Sequence, residues 1–318
     1  MILVWGSAQD APLARVLQLL HEHGGAFLHI DMDQLARLRH DITLGPTPSG
    51  WLEVDGVRVD VSTLRGIYLR PLQSVSGRAA AGAAVLLGLA ALSPALVINP
   101  PAAGLSNASK PYQLRLIAQA GLAVPKTLVT SDPAAALAFV ATHGRVIYKS
   151  ISGVRSVVSA LSTADSTRLL ALGHGPVQLQ RWVAGRDVRV HVVGQRCFAS
   201  AVDSQATDYR YAARDGLDVQ LSAMDIPVAL QRRLVALNRA LGLHFSGIDL
   251  RRGNGGIWTC FEVNPSPGFT FYEDATGQDI GEAVVELLMQ GSGPRARRRA
   301  PSASRYSVID RNGLSGHE

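Results

Sequence analysis

Residues 247 to 269, GIDLRRGNGGIWTCFEVNPSPGF, hold the clearest chemistry in the chain. Asp249 lies between Ile248 and Leu250, and Glu262 between Phe261 and Val263. Strand alternation turns each carboxylate away from its apolar neighbours. With Asn254-Gly255 as the hairpin turn, Asp249, Glu262 and Asn264 converge near one point. Oxygen-only donors suit Mg²⁺, which keeps several waters and shares its coordination with phosphates. A wet outer hairpin face accounts for a lone Asp or Glu. It accounts less well for polar positions set among buried-type residues and running into a rigid Asn-Pro-Ser-Pro-Gly turn.

Lysine usage gives an independent clue. Of 31 basic side chains only three are lysines, Lys110, Lys126 and Lys149, so Arg is the routine cation. Lys149 ends RVIYK and is followed by SISGVRS. The small residues there, Ser152 and Gly153 among them, let backbone N–H groups approach phosphates, with the ammonium as a compact counter-charge. Most Ser/Gly loops are only turns, and neither G-x-x-x-x-G-K-[ST] nor a post-strand G-x-G-x-x-G occurs. Further on, VQLQRWVAGRDVRVHVVG (177 to 194) offers an apolar strand, a connection through Trp182, and a charged strand start at Asp187 and Arg189. A flat apolar slot with free backbone amides suits a nucleobase, and the acid beyond it suits ribose hydroxyls; an ordinary hairpin reads almost the same.

The elements that position these residues follow from periodicity. Residues 2 to 5, 13 to 23 and 27 to 30 read as strand, helix, strand, an α/β opening. Residues 51 to 61 alternate around Asp55-Gly56, a strong hairpin signal. GIYLRP (66 to 71) reads as a strand ending at a positive mouth, and NPPAAGLSNAS (99 to 109) as a loop between domains. Helix 111 to 120, strand 127 to 130, helix 133 to 143 and strand 145 to 150 come next. Strands 155 to 161, 177 to 183, 187 to 193 and 196 to 203, a helix over 227 to 241, and the final pair 243 to 251 and 256 to 264 complete an α+β half. His191, within VRVHVVG, reads as a strand histidine hydrogen-bonded at the edge of the core rather than as a base.

The 318-residue length predicts two domains at about 100 to 200 residues each. Of the net charge of +6, +4 comes from residues 291 to 318, where six arginines meet two acids. That Pro/Ser/Arg-rich tail reads as a solvated, disordered segment, and no folded nucleic-acid site is expected. Cys197 and Cys260 are too few for a disulfide framework, which fits a reducing cytoplasm. MILVWGS lacks a basic region before its apolar run, so no signal peptide is expected. The apolar stretch 79 to 98 is broken by Ser93 and Pro94 into a buried helix and a short strand, so no membrane span is expected.

Taken in order, SNASKPYQLRLIAQAGLAVPKT, VIYKSISG, LQRWVAGRDVRVHVVG, DYR and GIDLRRGNGGIWTCFEVNPSPG resemble the ATP-grasp superfamily. Within it they are similar to ligases of the RimK type and to the peptide ligases that make microviridin-like ω-ester and ω-amide links. The resemblance covers about residues 105 to 290. It implies an ATP-grasp fold at 104 to 290, with ATP between two subdomains, behind an N-terminal α/β domain at 1 to 103. It implies that Lys110, Lys149, Ser152 and Gly153 meet ATP phosphates, Gln180, Arg181, Trp182 and Val183 form the adenine hinge, and Asp187 binds ribose. Arg189 and Arg210 would face the transferred phosphate or activated carboxylate, and Asp249, Glu262 and Asn264 would hold two Mg²⁺ ions, with Mn²⁺ as a substitute. Gln180 stands where many relatives have an acid, and NPSPGF differs from the NPNG-like turn of the macrocyclases. The expected activity is ATP-dependent joining of an amino-acid or peptide carboxylate to an amine through an acyl phosphate, releasing ADP and phosphate. Cyclisation of a precursor peptide is the alternative. A nucleotide-binding module without turnover is a third reading, and the intact Asp249, Glu262 and Asn264 set argues against it. A homodimer is compatible with a chain of this size.

Overall fold

The computed structural model describes residues 1–45, 47–71, 75–150, 159–161, 177–204 and 218–291. Its N-terminal layer is a parallel sheet in the order β2 (Phe27–Ile30), β1 (Ile2–Gly6), β6 (Gly66–Arg70), β7 (Leu96–Ile98). Parallel strands need crossover connections, supplied here by α1 (Ala11–Glu22) and α2 (Gly77–Leu92). Asp10 caps α1 by accepting from the Leu13 N–H at 3.2 Å, and Pro12 occupies its first turn. Leu13, Val16, Leu19 and Leu20 form the buried stripe of α1. A small antiparallel sheet follows, β3 (Arg39–Thr43), β4 (Ser49–Val54) and β5 (Val57–Asp60). Asp55 and Gly56 take φ of 48° and 83° between β4 and β5, the left-handed pair that a tight two-residue hairpin needs.

The α2 stretch is a one-faced helix rather than a fully buried one: Gly82, Ala83, Leu86, Leu89 and Ala90 face inward, while Leu87 and Leu92 are exposed. A Cβ on Gly82 would stand 2.4 Å from the Leu35 carbonyl oxygen, so glycine sets how closely this helix approaches the 3₁₀ helix Met32–Arg37. No helix among the described residues is long and apolar enough to cross a membrane. The stretch read as a domain-boundary loop is a 3₁₀ helix, Pro101–Ala108, packed against neighbouring elements.

The rest of the chain builds two antiparallel sheets. One runs β10 (Ser159–Leu161), β9 (Val146–Ser150), β11 (Val177–Arg181), β8 (Thr127–Thr130), with α3 (Lys110–Gln119) before β8 and α4 (Pro133–His143) after it. The other runs β14 (Val219–Met224), β13 (Arg196–Ser204), β12 (Arg186–Val193), β15 (Phe245–Arg252), β16 (Trp258–Asn264). Helix α5 (Val228–Ala240) and α3 cover the second sheet's apolar face. The chain ends its described part with α6 (Thr270–Thr276) and α7 (Ile280–Gln290), which the sequence reading does not anticipate. Helix α7 returns to α1 and β6, so one core joins Val4, Leu13 and Tyr68 to Phe245, Phe269 and Val284. The N-terminal layer is therefore fused through apolar contact to the sheet that carries the carboxylates.

Candidate active site

On β12, β15 and β16, register places polar side chains in one row. Arg189 is opposite Asp249, Asp249 is opposite Glu262, and Gly247 is opposite Asn264. The alternate residues, Val188, Val190, Ile248, Leu250 and Val263, enter the core shared with α3 and α5. Pairing then shifts by one residue, Leu250 facing Cys260, so Phe261 is the extra residue of a bulge on β16. Cys260 is on the dry side; burial first, then the neighbouring Asp249 carboxylate, pushes its thiol far above the ordinary range. It is not a nucleophile.

Arg189 is 5% exposed and donates from Nη1 to Asp249 Oδ1 at 2.7 Å, with its guanidinium 5.8 Å from the Tyr272 ring centroid. Its path over β15 exists because residue 247 has no side chain: a Cβ there would stand 1.9 Å from Arg189 Nη2. A buried guanidinium requires such a carboxylate, since an unpaired charge at this depth is costly. Asn264 Oδ1 accepts the Ser266 N–H at 2.9 Å, which tightens the turn after β16. Among the described residues no Lys or Arg is paired with Glu262, and no cluster of three or more His, Cys, Asp or Glu exists. The donor set is thus two carboxylates and one amide oxygen, all hard. Those donors fit Mg²⁺, which uses few protein ligands and takes the rest from water and phosphate.

The hinge differs from its expectation. The Arg181 N–H donates to Lys126 O and the Trp182 N–H to Arg145 O, each at 2.9 Å, so these two amides extend sheet pairing instead of standing free. The guanidinium of Arg145 lies 3.8 Å from the Trp182 ring centroid, and that of Arg251 lies 4.6 Å away. Arg251 also donates to both Asp187 oxygens, at 2.7 and 2.8 Å, and to Val183 O at 2.8 Å. Asp187 keeps further acceptor capacity, because each carboxylate oxygen has two lone-pair sites. Gln180 is buried and donates to Thr127 Oγ1 at 3.2 Å. A cleft of ≈ 1070 Å³ opens beside Gly185, Arg186, Asp187, Asp203, Arg252 and Asn254. Its lining includes Asp187 but neither Asp249 nor Glu262, so it flanks the carboxylate row.

Lys110 opens α3 and is buried. Lys149 lies on β9 opposite Gln178 of β11, which places its backbone one strand from the hinge. Ser152, Gly153 and Arg210 lie outside the described residues, as does the tail from 292. His191 is fully buried, with Nε2 3.1 Å from Gly268 O. Burial, then the nearby Arg189 charge, lowers its pKa to about 3, so it is a neutral core histidine as expected.

Four residues join the site that the motif reading did not assign. Gln113 exchanges two hydrogen bonds with the Val263 backbone, donating to its O at 2.8 Å and accepting from its N at 3.0 Å. It thereby satisfies the outer edge of β16. Asn99, just past β7, donates to Phe245 O at 2.6 Å and Pro265 O at 2.5 Å and accepts from His244 N and Phe245 N. Arg70, held by Asp10 at the start of α1, reaches the same turn from the N-terminal sheet. The visible signals were a polar residue ending each apolar strand, YLRP and LVIN.

Residues 107–288 match the family model described as RimK-like ATP-grasp domain. A probable alpha-L-glutamate ligase of Pectobacterium carotovorum is 29% identical over 219 residues, 65% of this chain and 70% of the relative. One from Trichodesmium erythraeum is 29% identical over 220 residues, 63% of this chain and 70% of the relative. Among solved structures, the ATP-grasp ligase PsnB complexed with a minimal precursor aligns with a TM-score of 0.75 at 25% identity, over 91% of this chain and 98% of that one. PsnB with minimal precursor, Mg and ADP aligns at 0.73 and 27%, over 91% and 97%. The macrocyclase MdnC of Microcystis aeruginosa, bound to its precursor peptide, aligns at 0.74 and 21%, over 91% and 99%, a likeness of fold.

Proposed function

The chain belongs to the RimK-like ATP-grasp family, an ATP-dependent carbon–nitrogen ligase, and from that premise we propose that it joins glutamate, or a glutamate-containing peptide, to an amine through an acyl phosphate. A substrate carboxylate oxygen attacks the γ-phosphorus of ATP and ADP departs. The amine nitrogen then attacks the acyl carbon, phosphate leaves with the former carboxylate oxygen, and the amine loses a proton. Such chemistry needs positioned charge more than a side-chain nucleophile.

The observation that carries this reading is the Arg189, Asp249 and Glu262 row with Asn264 beside it. Family ligases use ATP and Mg²⁺; here Asp249, Glu262 and Asn264 are the proposed holders of two ions, with Mn²⁺ as a substitute. Bound there, the metal would neutralise charge on the phosphates. Arg189 is proposed to face the transferred phosphoryl or activated carboxylate, its orientation fixed by Asp249 and the space over Gly247. Asp187, Gln180, Arg181, Trp182 and Val183 are proposed to meet the nucleoside, and Lys110, Lys149, Ser152 and Gly153 its phosphates, with Arg210 at the acyl centre. We also keep as proposals the division at residue 103, a cytoplasmic setting, a homodimer and the lack of a folded nucleic-acid site.

The PsnB likeness favours one second reading, cyclisation within a precursor peptide. A screen of ADP release against glutamate, oligoglutamates and acidic peptides tests both, with product masses read alongside. Loss of one water between two molecules supports joining, and loss of water within one supports cyclisation. A protein that binds ATP and releases no ADP with any of them is a binding module, and the proposal fails.

A further inference from the structure

The turn that follows Asn264 is held by two buried side chains and one half-buried one, on three different strands or their ends. Asn99, just past β7, donates to Pro265 O at 2.5 Å. Arg70, the last residue of β6, donates from Nη1 to Pro267 O at 2.8 Å and to Ser266 Oγ at 3.3 Å. His191 on β12 holds Gly268 O at 3.1 Å. Three backbone carbonyls within four residues are thus fixed from outside the turn. Two of the three holders come from the N-terminal sheet, at the carboxyl ends of parallel strands, where such sheets present functional groups.

Arg70 is the only charged member of the three. It is 4% exposed, and its other side grips Asp10, Nε meeting Oδ2 and Nη2 meeting Oδ1 at 3.3 Å. Asp10 also caps α1. One planar guanidinium therefore spans a carboxylate on one side and a turn carbonyl on the other, which a lysine ammonium, a single point of donation, cannot do. Burying that ion pair only to stiffen the N-terminal layer is a poor use of it, since such pairs add little net stability.

We propose that Arg70 is a positioning residue for the metal end of the site: through Pro267 O and Ser266 it fixes the 264–268 turn and so the direction of Asn264. This rests on the reading of Asp249, Glu262 and Asn264 as the Mg²⁺ holders. Partners one step behind a metal ligand typically change metal affinity by about 10- to 100-fold when lost, and Arg70 stands one link further back, behind Ser266, so the lower end of that range applies.

The test is the ratio of ADP dissociation constants measured by calorimetry without and with Mg²⁺, on the full chain. For Arg70→Lys the affinity without metal stays near that of the wild type, and the gain conferred by Mg²⁺ falls about tenfold. Asp10→Asn keeps both the α1 cap and Arg70 but removes the charge that aims the guanidinium; its ratio moves the same way by less. This second variant decides the matter if Arg70→Lys does not fold. An unchanged ratio in the folded variants overturns the proposal, as does equal weakening with and without metal. If the wild type gains no ADP affinity from Mg²⁺ while still binding ADP, the metal reading itself falls and the proposal with it.

Discussion

The central strands of the N-terminal parallel sheet and of the five-stranded antiparallel sheet are both largely buried, yet they use side chains differently. Every residue of β1 (ILVWG) and β6 (GIYLR) is buried, and all but the last of β6 are apolar or glycine. With both faces covered, a parallel strand can offer chemistry only at its carboxyl end. That is where Arg70 and Asn99 stand. In β12, β15 and β16 one face is dry and the other polar, so Arg189, Asp249 and Glu262 lie within strands, aligned by register. Burial alone would not tell scaffold from site; the chemistry of the buried group does.

The contrast is sharpest in mutants of equal conservatism. Glu262→Gln keeps size and part of the hydrogen-bonding capacity but removes one charge from the row. Its turnover should fall by about 10²- to 10³-fold or more, by analogy with other charge-stabilising contacts, with circular dichroism unchanged. ADP release at saturating Mg²⁺ measures this, and wild-type-like release from the folded variant removes Glu262 from the site. Gly247→Ala adds a methyl 1.9 Å from Arg189 Nη2, so the guanidinium must move. A displacement near 1 Å costs up to about 10²-fold in rate, read as a drop in kcat/KM larger than any change in ADP affinity.

Leu3→Ala probes the other region. Leu3 is fully buried, in a core that it shares with Ile67 and Leu86 on the other face of the parallel sheet from Val4. Truncation should cost about 2–5 kcal/mol of stability while kcat of the folded fraction holds, because no polar contact of the row changes. Urea unfolding and turnover on one preparation separate the two effects. A large loss of kcat at full folding would mean that the scaffold and the site are not divided as described.

A smaller effect follows from His191, whose pKa falls from 6.5 to about 3 through burial first and then Arg189. Between these values the unfolded chain binds a proton that the folded chain refuses, so stability declines as pH drops from about 6.5 towards 3. The slope from this group approaches about 1.4 kcal/mol per pH unit. His191→Gln should flatten the wild-type curve across that window and leave its slope unchanged above pH 7. Parallel curves would show that the histidine does not titrate as its burial implies.

Much of this was legible in the sequence because periodicity and turn chemistry act locally. Alternation around Asp249 and Glu262 gave their shared face, and Asp55-Gly56 gave the hairpin. What escaped depends on distant partners. The amides of Arg181 and Trp182 are engaged by Lys126 and Arg145, residues of separate segments that only the sheet brings near. The roles of Arg70, Asn99 and Gln113 required knowing which backbone groups of β15, β16 and the following turn lacked ladder partners. Strand β3, with four of its five residues exposed, has no apolar stripe to announce it. Helix α7 does have one, and its packing on α1 tied the last described helix to the first layer.

The central claim is an acyl phosphate made from a substrate carboxylate. It is tested most directly by incubating the protein with ATP, Mg²⁺, and glutamate and an oligoglutamate whose carboxylates all carry ¹⁸O, then analysing the nucleotide and phosphate by mass. The account predicts ADP and a phosphate that has gained one ¹⁸O atom for each bond formed. Stoichiometric AMP, or a bond formed with unlabelled phosphate, would contradict it.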